Sequence, residues 1–197
     1  MDTKRIFDIL IAIVGLILLS PIFLVLCILV MFDSKGGVIY RQIRVGKNME
    51  DFQLYKFRTM YVHTEDQNLI TVGNNDARIT KIGYWLRKYK LDELPQLLNI
   101  LKGHMSFVGP RPEVRKYVNM YNDEQRKVLS VKPGITDWAS IEFYNENQLL
   151  ANSDDPESYY IQQLFPQKLI QNLQYIKQNN ILIDIKIIYL TIRRMVA

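Results

Sequence analysis

The sequence predicts a mainly α protein with a small β-hairpin (α+β). A membrane-seeking helix-break-helix occupies residues 1–35, and a compact domain fills residues 36–197. Three observations carry that expectation. Residues 9–32 are uncharged and almost wholly apolar, helical spacing of apolar residues dominates the remainder, and a single short pair of segments has strand-like content.

The apolar run comes first. About 20 residues rising ~1.5 Å each cross a ~30 Å hydrocarbon layer, so the run is long enough to span. Ser20-Pro21 divides it. Pro21 has no N–H for the carbonyl of Ile17 and its ring crowds that carbonyl, so a kink or break is expected there. Each half, roughly 18 Å long, is too short to cross alone. The Ser20 hydroxyl is available to bond the freed carbonyl. A re-entrant hairpin turning at Ser20 and Pro21, a proline-kinked spanning helix and a plain single-pass anchor all remain open. A cleaved signal peptide does not fit, because the run exceeds the usual ~7–15 residues and no small-x-small site follows. Lys4 and Arg5 precede the run, and Lys35, Arg41, Arg44 and Lys47 follow it. Basic flanks prefer the cytoplasmic side, and two of them suit a hairpin.

Asp33-Ser34-Lys35-Gly36-Gly37 reads as a turn. Val38-Ile39-Tyr40 and Phe52-Gln53-Leu54-Tyr55-Lys56-Phe57 then form a hairpin joined through Val45-Gly46-Lys47-Asn48. Asn74-Asn75-Asp76 is a loop and helix cap. Residues 79–102 keep helical spacing, with Pro95 interrupting. Tyr84, Trp85 and Tyr89 alternate there with Arg87, Lys88 and Lys90, which suits either a helix in the headgroup layer or a surface helix packed on the core. Residues 113–129 read as another helix, ended by Lys132-Pro133-Gly134. Ser153-Asp154-Asp155-Pro156-Glu157 opens a further helical stretch, and Pro166 opens the next, which Asn179-Asn180 ends. The isoleucine-rich segment from Ile181 to Arg193-Arg194 either lies on a bilayer or closes the core.

The 197 residues make one compact domain beyond the apolar run, and the net charge is +5. Nine Lys or Arg face four Asp or Glu between Asp76 and Lys116. Such a patch suits nucleic acid, anionic lipid or a phosphorylated substrate, and the membrane run favours the last two. The single cysteine excludes an internal disulfide and suits a reducing compartment.

Asp92-Glu93, followed by Leu94-Pro95, is the constellation with chemical content. Proline is tolerated in a helix's first turn, so a helix could start here with Asp92 as its cap. The functional reading uses the same geometry: free N–H groups at a helix start favour phosphate and keep a carboxylate ionised. Two adjacent carboxylates suggest one attacking phosphorus and one holding a divalent cation, since Mg²⁺ accepts one or two carboxylates plus water and phosphate. Arg111 lies between Pro110 and Pro112, which fix its backbone for a phosphate contact, although a rigid loop with a solvated charge has the same sequence. Lys56 and Arg58 add two cations at a strand end. His63 and His104 match no zinc spacing.

In order along the chain, Lys4-Arg5-Ile6-Phe7-Asp8, Ser20-Pro21, Tyr55-Lys56-Phe57-Arg58-Thr59-Met60, Leu91-Asp92-Glu93-Leu94-Pro95-Gln96 and Ser106-Phe107-Val108-Gly109-Pro110-Arg111-Pro112-Glu113 resemble the bacterial sugar transferases, the monotopic phosphoglycosyl transferases. The resemblance covers most of the chain. It implies a re-entrant hairpin turning at Ser20-Pro21 and a catalytic domain on the cytoplasmic face of the bacterial inner membrane. It implies transfer of a sugar phosphate from a nucleotide sugar, usually a UDP-sugar, to polyprenyl phosphate, with Mg²⁺ as cofactor. Asp92 would be the nucleophile, Glu93 a Mg²⁺ ligand, and Arg111 a phosphate ligand with Lys56, Arg58 and Arg87 as further candidates. No nucleic-acid partner is expected, and the resemblance leaves room for a homo-oligomer. Asp137-Trp138-Ala139-Ser140 departs from the family pattern, which commonly has glycine first and glutamine last. The competing reading is a non-catalytic, membrane-tethered protein that binds anionic lipid or a partner; it gives Asp92-Glu93 no role.

Overall fold

The computed structural model describes residues 3–62 and 76–196. Its first helix, α1 (Thr3–Asp33), runs through Ser20 and Pro21 without interruption. The expected helix-break-helix is therefore corrected to one helix of 31 residues. The reason is local. Pro21 leaves the carbonyl of Ile17 without its helical partner, and Ser20 Oγ donates to that same carbonyl at 2.8 Å.

One face of α1 packs on the domain, and the other is bare. Ala12 packs with Leu97, Ile100 and Met105, while Leu26 and Val30 pack with Phe57 and Leu86. Ile17, Leu18, Leu24 and Phe32 on the other face are exposed. Both ends of α1 are tied to the same folded body. At its start Lys4 pairs with Asp184 and donates to Tyr175 Oη at 3.2 Å. Arg5 donates to the carbonyls of Ile100 and Leu101 at 2.6 and 3.1 Å. Asp8 accepts from Ser106 Oγ and the Phe107 N–H at 3.0 and 3.1 Å. At its end, Asp33 accepts from the Ile82 N–H at 3.2 Å.

β1 (Ile39–Val45) and β2 (Asp51–Phe57) form the antiparallel hairpin, Ile39 opposite Phe57 and Val45 opposite Asp51. The expected helix over residues 79–102 is instead α2 (Lys81–Lys88), a 3₁₀ turn (Leu91–Glu93) and α3 (Gln96–Leu101). Thr80 caps α2, its Oγ1 accepting from the Gly83 N–H; Asn74 and Asn75, like His63, lie outside the described residues. Lys90, in the left-handed region at φ 55°, ends the α2 segment before Pro95 is reached. Asp92 is thus inside a short turn, and among the described residues it caps no helix.

β3 (Ser106–Val108) and β4 (Gly134–Thr136) pair in parallel, although Lys132-Pro133-Gly134-Ile135-Thr136 reads as a turn in sequence. The expected helix over 113–129 is broken into α4 (Arg115–Val118) and α5 (Asp123–Arg126), because Asn122 and Gln125 form a capping box between them. Then follow α6 (Trp138–Glu142), α7 (Glu146–Ala151), α8 (Pro156–Tyr159), α9 (Phe165–Gln178) and α10 (Ile181–Val196). A π turn, Tyr160–Leu164, joins α8 to α9. The main core gathers Tyr117, Val118, Tyr121, Tyr160, Phe165 and Leu169. α10 closes the core on one face and leaves the other bare. Ile187 is fully buried with Tyr175 and Val108, while Leu182, Ile185, Tyr189 and Ile192 leave an apolar stripe exposed.

Candidate active site

Asp92 and Glu93 are 7% and 8% exposed, and they line a cavity of about 670 Å³. Their turn is fixed from both sides. Asn99 on α3 accepts from the Tyr55 N–H at 2.9 Å and donates to the Gln53 carbonyl at 2.6 Å, which ties α3 to the strand that carries Lys56. Lys56 Nζ then stands 3.0 Å from Glu93 Oε1 and 3.9 Å from Asp92 Oδ2.

Arg111 arrives from the other side. Gly109 and Gly134 pass so closely that a Cβ on Gly134 would sit 2.2 Å from the Gly109 nitrogen. The Gly109 N–H donates to the Thr136 carbonyl at 3.1 Å, and the Gly134 N–H donates to the Pro110 carbonyl at 3.0 Å. That crossing aims the Pro110-Arg111-Pro112 loop at the carboxylates. Arg111 grips Glu93 with both terminal nitrogens, at 2.5 and 3.3 Å. Arg44 holds the far end of the loop through the Pro112 carbonyl at 3.0 Å, and Tyr160 Oη donates to Glu113 at 2.7 Å.

The two carboxyls are driven apart electrostatically. For Asp92, burial raises the pKa, the Glu93 charge adds to it, and Lys56, Arg87 and Lys90 only partly oppose it. Burial would raise Glu93 too, but Arg111 and Lys56 outweigh it and hold Glu93 well below the usual carboxylate range. Asp92 accepts no side-chain hydrogen bond among the described residues. Glu93 is locked and Asp92 is loose.

The profile of the bacterial sugar transferase family matches residues 1–197. The chain belongs to that family. It is 36% identical over 197 residues to an Aeromonas hydrophila UDP-N-acetylgalactosamine-undecaprenyl-phosphate N-acetylgalactosaminephosphotransferase, covering 98% of this chain and 44% of the relative. A Klebsiella pneumoniae UDP-glucose:undecaprenyl-phosphate glucose-1-phosphate transferase is 39% identical over 196 residues, covering 96% of this chain and 39% of the relative. The Bacillus subtilis sugar transferase EpsL is 36% identical, covering all of this chain and 89% of its own length. This chain thus spans less than half the length of the first two relatives.

Of the cations expected around the two carboxylates, the structure brings together Arg111, Lys56 and Arg87. Arg87 lines the cavity, and Asp92 is among the charges acting on it. Arg58 also lines the cavity, but its hydrogen bonds are made elsewhere. Its guanidinium is 5% exposed and donates to the carbonyls of Gly37, Ser34, Lys35 and Val30 at 2.7, 2.7, 3.0 and 3.2 Å, and to Ser34 Oγ. With its donors committed to the end of α1, Arg58 is a clamp on the helix. Lys4 and Arg5 likewise dock the start of α1 onto the domain as well as flanking the apolar run.

Three residues were not singled out from sequence as part of this site. Lys90, brought inward by its left-handed backbone, lines the cavity near Glu93. Asp137 is 1% exposed; its Oδ1 caps α6 through the Ser140 N–H at 2.6 Å and its Oδ2 accepts from the Arg111 N–H at 3.2 Å. The departure from the family pattern at Asp137 was its signal. Arg44 appeared only as a membrane flank, and nothing in the sequence ties it to the arginine loop.

Proposed function

We propose that the chain is a phosphoglycosyl transferase that moves a sugar 1-phosphate from a UDP-sugar to polyprenyl phosphate. The observation that carries the reading is a buried, unlocked Asp92 beside a carboxylate held between Arg111 and Lys56, in a cavity with surplus positive charge. The printed names of the Aeromonas and Klebsiella relatives describe this class of reaction.

In the first step an Asp92 carboxylate oxygen attacks the sugar-bearing phosphorus. The bond from that phosphorus to the bridging oxygen breaks, and UMP leaves with the bonding electrons. Arg111, Lys56, Arg87 and Lys90 lower the repulsion between the attacking carboxylate and the diphosphate. In the second step an oxygen of polyprenyl phosphate attacks the same phosphorus, the acyl phosphate bond breaks, and Asp92 is regenerated as the lipid diphosphate sugar forms.

The pair also fits Mg²⁺. Both carboxylates line the cavity, and Glu93 would be the one to hold the ion, with water and phosphate oxygens as its other ligands, while Asp92 stays free to attack. When bound, the ion would neutralise charge developing on the diphosphate.

The docking of both ends of α1 on one body supports a monotopic arrangement on the cytoplasmic face of the bacterial inner membrane. A straight 31-residue helix would reach about 46 Å, enough to carry one end across. The exposed faces of α1 and α10, with Trp85 and Tyr89 on and beside α2, give the protein apolar surface for the bilayer. A polyprenyl chain stays in the bilayer, since each buried CH₂ contributes about 0.8 kcal/mol, so the carboxylate has to reach the headgroup plane.

Incubation with Mg²⁺, a UDP-sugar and polyprenyl phosphate is expected to release UMP and to leave a trapped phosphosugar adduct on Asp92. A fully active Asp92→Asn would eliminate the aspartyl intermediate, whereas a parent protein that releases no UMP would return the chain to the class of non-catalytic membrane tethers. For topology, cysteine labelling is expected to place the N-terminus inside, because both ends of α1 dock on one body, and an N-terminus labelled from outside would count against the monotopic reading.

A further inference from the structure

The cavity extends beyond the carboxylates, along a wall built by α7 and α9. Glu146 and Asn147 come from α7; Lys168, Leu169 and Asn172 share one face of α9. Lys168 pairs with Glu146 at 2.6 Å and lies 4.9 Å over the ring of Tyr160, which the π turn supplies. Asn172 is 6% exposed, and its Oδ1 has no hydrogen-bond partner among the described residues. A buried amide oxygen left in that condition costs roughly 1–3 kcal/mol, so it marks a place where a donor belongs. Glu146 is among the charges acting on Arg111, which connects this wall to the phosphate end.

The two ends differ in charge. The Lys56, Arg87, Lys90 and Arg111 end has an excess of cations and suits phosphate. On the α7–α9 wall the charges of Glu146 and Lys168 cancel, leaving donors, acceptors and an aromatic ring, which suit a neutral polyhydroxylated ring. Covalent connectivity then chooses which part of a UDP-sugar goes there. The phosphorus that Asp92 attacks carries the sugar through a single oxygen, whereas the uracil lies beyond a second phosphate and a ribose. The group next to Arg111 on its uncharged side is the sugar.

We propose that the α7–α9 wall is the sugar subsite, with Glu146 and Asn172 accepting from ring hydroxyls and Lys168 donating to a ring oxygen substituent. The proposal rests on the phosphoglycosyl transferase reading. It is tested on the full chain with a panel of UDP-hexoses and UDP-N-acetylhexosamines, scored by UMP release, with UMP affinity measured separately by calorimetry. Asn172→Leu and Glu146→Gln are expected to change the ratio of kcat/KM between the best two donors at least about tenfold, with UMP affinity held within about twofold. Asn147→Ala, a half-buried position with little folding risk, is expected to move the ranking in the same experiment by a smaller factor. An unchanged donor ranking in all three variants would overturn the assignment. So would loss of UMP affinity, since the wall would then hold the nucleoside. A parent protein that releases no UMP from any donor would instead remove the underlying reading.

Discussion

Two pairs among the buried carboxylates of the described residues are treated in opposite ways. Asp8 and Asp184 sit where α1, α9, α10 and β3 meet. Asp8 is satisfied by Ser106 and Phe107, and Asp184 by Lys4 and by Tyr175 Oη at 2.6 Å. Neither lines the cavity. Asp92 and Glu93 are buried almost as deeply but face open volume, and Asp92 is left with Lys56 at 3.9 Å. Burial of a carboxylate is therefore not the signature of chemistry here. The nucleophile proposed above rests instead on incomplete satisfaction beside surplus cations, because an ionised acid without donors is a better nucleophile than one with them.

Substitutions can break that contrast. Asp92→Asn is expected to lower UMP release more than about 10³-fold while leaving the melting temperature unchanged or higher. Arg111→Lys, which exchanges the two-pronged grip on Glu93 for a point charge, is expected to lower kcat/KM about 10²-fold in the same assay. Asp184→Asn should do the reverse. It removes the partner of Lys4 at a 1% exposed site and is expected to cost about 3 kcal/mol in urea unfolding, with the folded fraction keeping activity within about tenfold. A destabilising Asp92→Asn, or an Asp184→Asn that abolishes turnover of the folded protein, would erase the distinction.

Acid titration sharpens it further. The proposed mechanism needs ionised Asp92, so the acid limb of the kcat/KM profile is expected above the ordinary aspartate value. The folded protein holds the Asp92 proton more tightly than the unfolded chain. That contribution to stability is present at low pH and lost as pH rises through the raised value, so the stability gain of Asp92→Asn should grow with pH over this range. Glu93 has the opposite sign: its contribution is present above the unfolded value of about 4.5 and lost as pH falls through the depressed one. The smallest expected effect is that of Asp137→Asn, which keeps the cap on Ser140 but removes the acceptor of the Arg111 N–H. A KM rise of about threefold to tenfold with kcat nearly constant, and full rescue in the reverted protein, would mark it as a positioning residue.

Lys56 and Arg58 show how far the sequence could be read. Both are cations at the end of one strand and read alike as phosphate ligands. Lys56 meets the carboxylates, whereas Arg58 closes over the carbonyls of Val30 and Ser34. No local pattern separates them, since their partners are 37 and up to 28 residues away. The hairpin, α9 and α10 were legible because their periodicity and proline or asparagine punctuation are local. The β3–β4 pair was not, because its three-residue strands are held by the Gly109–Gly134 approach, a contact between distant segments.

Local chemistry alone was enough to specify the apolar helix, the Ser20 bond that repairs the Pro21 gap, the strands of the hairpin, and the adjacent pair of acids beside a rigid arginine loop. Which acid stays loose, which cation serves it and which one fastens α1 were settled by packing. Those outcomes depend on desolvation and on charges brought together across the fold, and neither exists until the chain has closed around them.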